Sequence, residues 1–263
     1  MSKLTPILAI ASVTITESLR DRILYGVLAF GIGLILLSAV LSNVTLGWPV
    51  RIVTDLSISA ISIGGSIMAI LLGVRAVAGE IEKRLAYPVL ARPISRASYV
   101  VGKYLGVVGT VYLNVLLMIA AATVMIATYS HEGSFQYPAA AYLTTLALLL
   151  LKLALIAAIA ILFSAFTSST VAFIASTGLV IAGHLTGELR FFLGQSESDL
   201  TRWIGDALYW TLPDLAAMES LSLLIHGQEI ATGPTLVAVA YGGLYLAALL
   251  ALASLIFERR DLA

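Results

Sequence analysis

PAAAYLTTLALLLLKLALIAAIAILF, residues 138–163, runs for 26 residues with a single charge, Lys152. At about 1.5 Å of rise per residue a helix of this length covers about 39 Å, more than the roughly 30 Å of hydrocarbon in a bilayer. Its apolar residues do not alternate, and the run far exceeds the roughly ten residues of a barrel strand, so the stretch predicts a membrane-spanning helix. Working outward, five more segments qualify: 23–42, 56–74, 104–128, 171–187 and 234–257, none with an Asp, Glu, Lys or Arg. The polar patch Phe166-Thr167-Ser168-Ser169-Thr170 must break the chain between 138–163 and 171–187, because about fifty residues of straight helix would not fit in the bilayer. Without that break the count is five spans. With it the count is six, and the chain is an all-α polytopic membrane protein.

Composition agrees. Of 263 residues, 60% are hydrophobic and 11% charged, with a mean hydropathy of +1.00, where a soluble domain carries roughly 25% charged residues. This excludes a water-soluble globule and a disordered chain. Fifteen basic residues balance fifteen acidic ones, so nucleic acid is not an expected partner. There is no cysteine, which excludes disulfides and thiolate metal sites, and His131, His184 and His226 lie too far apart for a local metal motif. No metal or cofactor is expected in the chain.

Charge distribution sets the orientation. With six spans, Lys3, Arg20, Arg22, Arg75, Lys83, Arg84, Arg92, Arg96, Lys103, Arg259 and Arg260 fall on one side, and Arg51, Arg190 and Arg202 on the other. By the positive-inside rule the eleven lie in the cytoplasm with both termini, and Arg92, Arg96, Lys103, Arg259 and Arg260 are candidate anchors to anionic headgroups. The location expected is the inner, cytoplasmic membrane. The start lacks the single apolar region and small-residue exit of a cleavable signal peptide. It reads as an interfacial helix over 1–22 with Leu8, Ala11, Ile15 and Leu19 on one face and Glu17 and Asp21 opposite.

Between the second and third spans lies RAVAGEIEKRLAYPVLARPISR, residues 75–96. Val77, Ile81 and Leu85 recur at i, i+4, Glu80 and Arg84 share a neighbouring strip at the same spacing, and Pro88 and Pro93 stop the helix and turn the chain. Two readings fit the periodicity equally: a short helix that sits in a groove of another protein, or one that lies on the membrane surface.

Gly79-Glu80-Ile81-Glu82, then Arg92-Pro93-Ile94-Ser95-Arg96, then Gly102-Lys103-Tyr104-Leu105-Gly106 form a pattern that resembles permease subunits of ABC-2 type transporters. Within them it looks closest to the branch that includes the permease linked to nitrous-oxide reductase and multicopper enzyme maturation. Glu17-Ser18-Leu19-Arg20-Asp21-Arg22, Leu212-Pro213-Asp214 and Phe257-Glu258-Arg259-Arg260-Asp261 fall where the family has similar strings. The resemblance implies one transmembrane domain over 1–263: an interfacial helix over 1–22, a six-span bundle over 23–257 and a cytoplasmic tail over 258–263. It implies a permease that pairs with a second copy, identical or related, and docks a coupling helix, about 76–87, on an ATPase subunit. Glu80 and Glu82 would then be acidic contacts, Arg84 a further docking residue and Gly79 the close-approach position. The chain has no phosphate-binding loop of the Gly-x-x-x-x-Gly-Lys-Ser/Thr kind, so ATP and Mg are expected in the partner, and the chain itself is not expected to be an enzyme. The implied function is ATP-driven export. An alternative is a module that transmits force to an extracytoplasmic accessory protein without moving a solute.

Three polar residues draw attention inside or near the spans. Lys152 sits mid-span, where an ionised lysine costs about 2.5 to 3.5 kcal/mol on insertion scales. It is read either as a contact for an anionic substrate or headgroup or as a structurally paired lysine, with no obvious carboxylate partner in the hydrocarbon. His184 and Glu188 are four residues apart at the end of the fifth span and are expected to meet on one helix face, as a pH-sensitive pair or as an ordinary interfacial helix end. A rival reading, an intramembrane hydrolase built on those two, lacks the converging ligands or positioned nucleophile such chemistry needs. Between the fifth and sixth spans, 200–211 and 216–226 are expected to be short outer helices, with Trp203, Tyr209 and Trp210 at headgroup level and, by resemblance, a partial return into the membrane.

Overall fold

The computed structural model describes residues 4–44, 49–83, 95–130, 137–195, 198–219 and 232–260, and among these there is no strand. The helices are α1 (Leu4–Ser18), α2 (Arg22–Val44), α3 (Pro49–Val74), α4 (Arg96–Tyr129), α5 (Ala139–Ser164), α6 (Ser169–His184), α7 (Thr186–Gly194), α8 (Asp199–Thr211) and α9 (Thr232–Arg259). Five rods are long and apolar enough to cross a bilayer: Arg22–Ser42, Pro49–Glu82, Arg96–Tyr129, Ala139–Ser164 and Gly233–Arg259. The sixth candidate is a bent pair, α6 followed at 60° by Thr186–Leu193, which has the form of a broken span or a re-entrant loop.

Residues 75–82, expected as a loop helix, continue α3 without a break through a π-helical turn, Arg75–Gly79, and a last α-turn, Glu80–Glu82. The rod Pro49–Glu82 has 34 residues, as has α4. Each is about 51 Å long, so each overshoots the hydrocarbon by about 20 Å. The overshoot is charged where α3 ends and α4 begins, which makes a projecting stalk at the end of the bundle that also holds the last turn of α9.

Lipid tails are as apolar as leucine, so helices in a membrane associate by close packing rather than by hydrophobic burial. α1 and α4 show how. A Cβ on Gly106 would stand 2.5 Å from Cβ of Thr14, and one on Gly102 would stand 2.9 Å from Cβ of Ile10. The two glycines are therefore the groove into which α1 fits. That groove also chooses the face: Ile10, Ala11 and Thr14 are buried while Leu8 is exposed. The stripe expected from Leu8, Ala11, Ile15 and Leu19 is thus rotated toward Ile10 and Thr14, the residues that seat on Gly102 and Gly106.

At the centre α5 packs against α3, and residues 155–161 are almost wholly inaccessible. α2 and α9 lie outermost and show Leu36, Val40, Leu236 and Leu244 outward. The span expected over 171–187 is bent near its end: α6 stops at His184. Leu185 leaves helical geometry (φ −99°, ψ 5°), and the Gly183 carbonyl accepts from the Leu215 amide at 3.0 Å. Of the two expected outer helices, the first is α8. The second is, in the described residues, only a 3-10 turn, Ala216–Met218.

Candidate functional site

Lys152 of α5 is completely buried. An ammonium has three N–H donors and no acceptor, and at mid-bundle depth each donor needs an oxygen or nitrogen to receive it. Three are present. Nζ donates to Ser62 Oγ of α3 at 2.7 Å, faces His184 Nε2 of α6 at 3.4 Å, and forms an ion pair with Glu219. The carboxylate missing from the sequence reading is therefore supplied from outside the spans, by the chain between α8 and α9.

The path of Glu219 into the bundle is built residue by residue. Asp214 Oδ1 accepts from the Ala217 amide at 3.0 Å and opens the 3-10 turn, while the Asp214 amide donates to the Tyr241 hydroxyl at 3.1 Å. Tyr245 of α9 donates to the Thr211 carbonyl at 2.7 Å. On the other side the turn lies on Gly183, where a Cβ would meet the Pro213 carbonyl oxygen at 2.7 Å. Leu215 and Met218 are fully buried beneath it. The turn is thus wedged between α6 and α9, and its next residue is Glu219.

His184 Nδ1 lies 2.8 Å from the Val180 carbonyl, its own helix's i−4 acceptor, and Nε2 stands 3.4 Å from Lys152 Nζ and 3.5 Å from Glu219 Oε1. The Glu219 carboxyl is held down at about 2, first by the His184 contact and then by the Lys152 ammonium, against the opposing cost of burial. Glu188 does not join this group. It follows the bend, lies exposed on α7, and does not meet His184, because the i, i+4 geometry holds only along an unbroken helix. Around the ion pair opens a cleft of about 240 Å³, with Ser59, Ser62, Thr145, Lys152, His184 and Glu219 supplying polar groups and Ile58, Ile63, Leu149 and Met218 apolar wall. Among the described residues no three of His, Asp and Glu are grouped as a metal site would need.

Residues 37–262 match the family model described as ABC-2 family transporter protein. The chain belongs to that family. It is a membrane permease subunit of an ABC transporter. No curated protein matches it, and the family match does not extend to the nitrous-oxide reductase branch.

In this ABC-2 permease the predicted stalk residues are engaged with one another. Glu80 accepts from the Tyr99 hydroxyl at 2.7 Å and pairs with Lys103, which is buried. Lys103 thus faces Glu80 rather than open headgroups. Glu82 accepts from the Ser169 amide at 2.7 Å and the Ser169 hydroxyl at 2.8 Å, so it caps α6, whose own N-cap residue, Ser168, makes no side-chain cap bond. Arg96 reaches the carbonyls of Phe257, Glu258 and Arg260 at 2.8 to 3.1 Å and closes the end of α9. Arg260 does the same for α5 through Ser164 and Ala165. Arg259 is exposed, and Gly79 has only ordinary contacts where a Cβ would stand. Arg84 and Arg92, like residues 84–87 at the end of the expected coupling helix, lie outside the described residues.

Lys152 and His184 were legible from the sequence and prove to be neighbours. Glu219 and Ser62 were not singled out. The usable signal was the demand of a mid-span lysine for a carboxylate, together with a Pro213-Asp214 turn just ahead of one.

Proposed function

We propose that the chain is the transmembrane half of an ATP-driven exporter, one domain over 1–263, set in the inner membrane with both termini in the cytoplasm. An ATPase subunit holding ATP and Mg docks on the stalk, at the exposed tip around Glu82 and Lys83 and the segment that follows it. A second copy of the permease completes the transport path. The observation that carries this reading is a continuous mechanical link: the tip of the Pro49–Glu82 rod grips the N-terminus of α6 through Glu82 and Ser169, and the far end of α6 places His184 against Lys152. α6 is about 24 Å long and rigid, so a push on the stalk is delivered to the cleft as a displacement of one wall. Closure of the ATPase subunits on ATP would supply that push.

The test is to purify the chain gently from its native membrane and identify what comes with it. An ATPase subunit is expected, and charge reversal at both exposed tip residues, Glu82→Lys with Lys83→Glu, should reduce its recovery at least tenfold while leaving membrane insertion intact. Undiminished recovery would move the docking surface elsewhere, and absence of any ATPase would sink the exporter.

A further inference from the structure

The accessible charge of the cleft is negative. A mid-span lysine alone suggests an anion site, yet Lys152 is 0% exposed, with Ser62, His184 and Glu219 around its ammonium. The Glu219 side chain is 44% exposed, and both contacts it makes here, to Lys152 and to His184, use Oε1. Neither of these contacts uses Oε2. Ser59 and Thr145 add hydroxyls nearby, and Ile58, Ile63, Leu149 and Met218 make the remaining wall apolar. For a ligand in this space the near charge is the carboxylate and the ammonium lies behind it. Coulomb energy falls with distance, so the nearer charge decides.

We propose that this cleft binds an amphipathic ammonium compound, an N–H-bearing cation on an apolar tail, with its ammonium on Glu219 and its tail along Ile58, Ile63 and Met218. The inference rests on the permease reading only for its meaning as a transport substrate; binding itself needs no ATPase. Lys152 is then the fixed counter-charge that keeps Glu219 ionised and aimed while the cleft is empty. Its depth makes the cleft suited to cations that enter from lipid, whether as a free amine or as the headgroup of an aminophospholipid.

The experiment measures saturable retention of radiolabelled decylammonium by the full chain in maltoside micelles, against empty micelles, with decyl sulfate and decanol as anionic and neutral counterparts of equal tail length. Decylammonium is expected to bind at least tenfold more tightly than either. Glu219→Gln, which keeps the shape of the side chain, should remove that preference, and Glu219→Asp should restore part of it. Competition by phosphatidylethanolamine identifies the headgroup as the source, and its failure identifies a free amine. No saturable binding, binding unchanged in Glu219→Gln, or a preference for decyl sulfate that Lys152→Met abolishes would overturn the proposal. A chain that retains its ATPase subunit yet shows one of these results loses the cation site and keeps the exporter.

Discussion

The stalk and the mid-bundle cleft are both held by charges that lie far apart in sequence, but they dispose of charge in opposite ways. On the stalk each partner closes a helix end or ties two helices: Glu82 on α6, Arg96 on α9, Arg260 on α5, Glu80 with Lys103. In the cleft one member of the pair is sealed and the other is left open. Charges at an end can be satisfied by backbone groups that helices leave unpaired, whereas an interior lysine can be satisfied only by side chains brought to it. The end network thus makes the rods move as a unit. The interior pair is free to meet something else.

The comparison breaks most visibly at Lys152. Removing one partner of a fully buried pair costs about 3–5 kcal/mol, and with Glu219 half open we expect about 2–3 kcal/mol for Lys152→Met, read as a lower melting temperature in detergent. Adding Glu219→Gln should return more than half of that loss, since the orphaned carboxylate is what costs. A double variant no better than the single would mean that the two side chains do not act as a pair.

Next in size is the wedge that delivers Glu219. Gly183→Ala drives a Cβ to within 2.7 Å of the Pro213 carbonyl, a backbone atom that cannot swing aside, and should cost about 1–3 kcal/mol. Gly178→Ala, on the same helix with nothing within 4 Å of its Cβ, should be neutral or stabilising by up to about 1 kcal/mol. Equal effects from the two would deny that the turn is seated on α6.

Much of this architecture was written in local sequence. Uncharged runs of about twenty residues give the spans because the bilayer thickness is fixed, and Gly102-Lys103-Tyr104-Leu105-Gly106 carries the small-residue spacing that receives α1. The bend after His184 was less legible, since neither Gly183 nor Gly187 forces it; the deciding contact comes from Pro213 and Leu215, some thirty residues on. Glu219 was hidden for the same reason. Charge count places it with eight other acidic residues on the outer side, and only the return of the turn separates it from them. The stalk was misread at one point: apolar periodicity over 77–85 reports a face that needs covering but not whether the helix is free-standing, and here 75–82 prolong α3.

On the stalk, Arg96→Ala removes a guanidinium shared by three carbonyls of the α9 end and should lower stability by about 1–2 kcal/mol. Arg259→Ala, at an exposed position, should stay within about 0.5 kcal/mol. A protease cutting near 260 reports the same difference, with release of the α9 end expected in the Arg96 variant alone.

The smallest expected effect is a flat line. Glu219 is held at about 2 in the folded chain, below the ordinary carboxylate value of 4.5. A carboxylate depressed on folding adds stability that is complete above its unfolded value and is lost as pH falls toward the folded one. The stability difference between the natural chain and Glu219→Gln should therefore be constant from pH 8 to pH 5 and shrink only below about pH 4.5. Melting both proteins across that range checks it. A difference that fades between pH 8 and pH 6 would mean that the carboxylate is not the depressed, lysine-facing group on which the cleft is built, and the contrast between a stalk whose charges are tied to helix ends and an open interior pair would lose its second half.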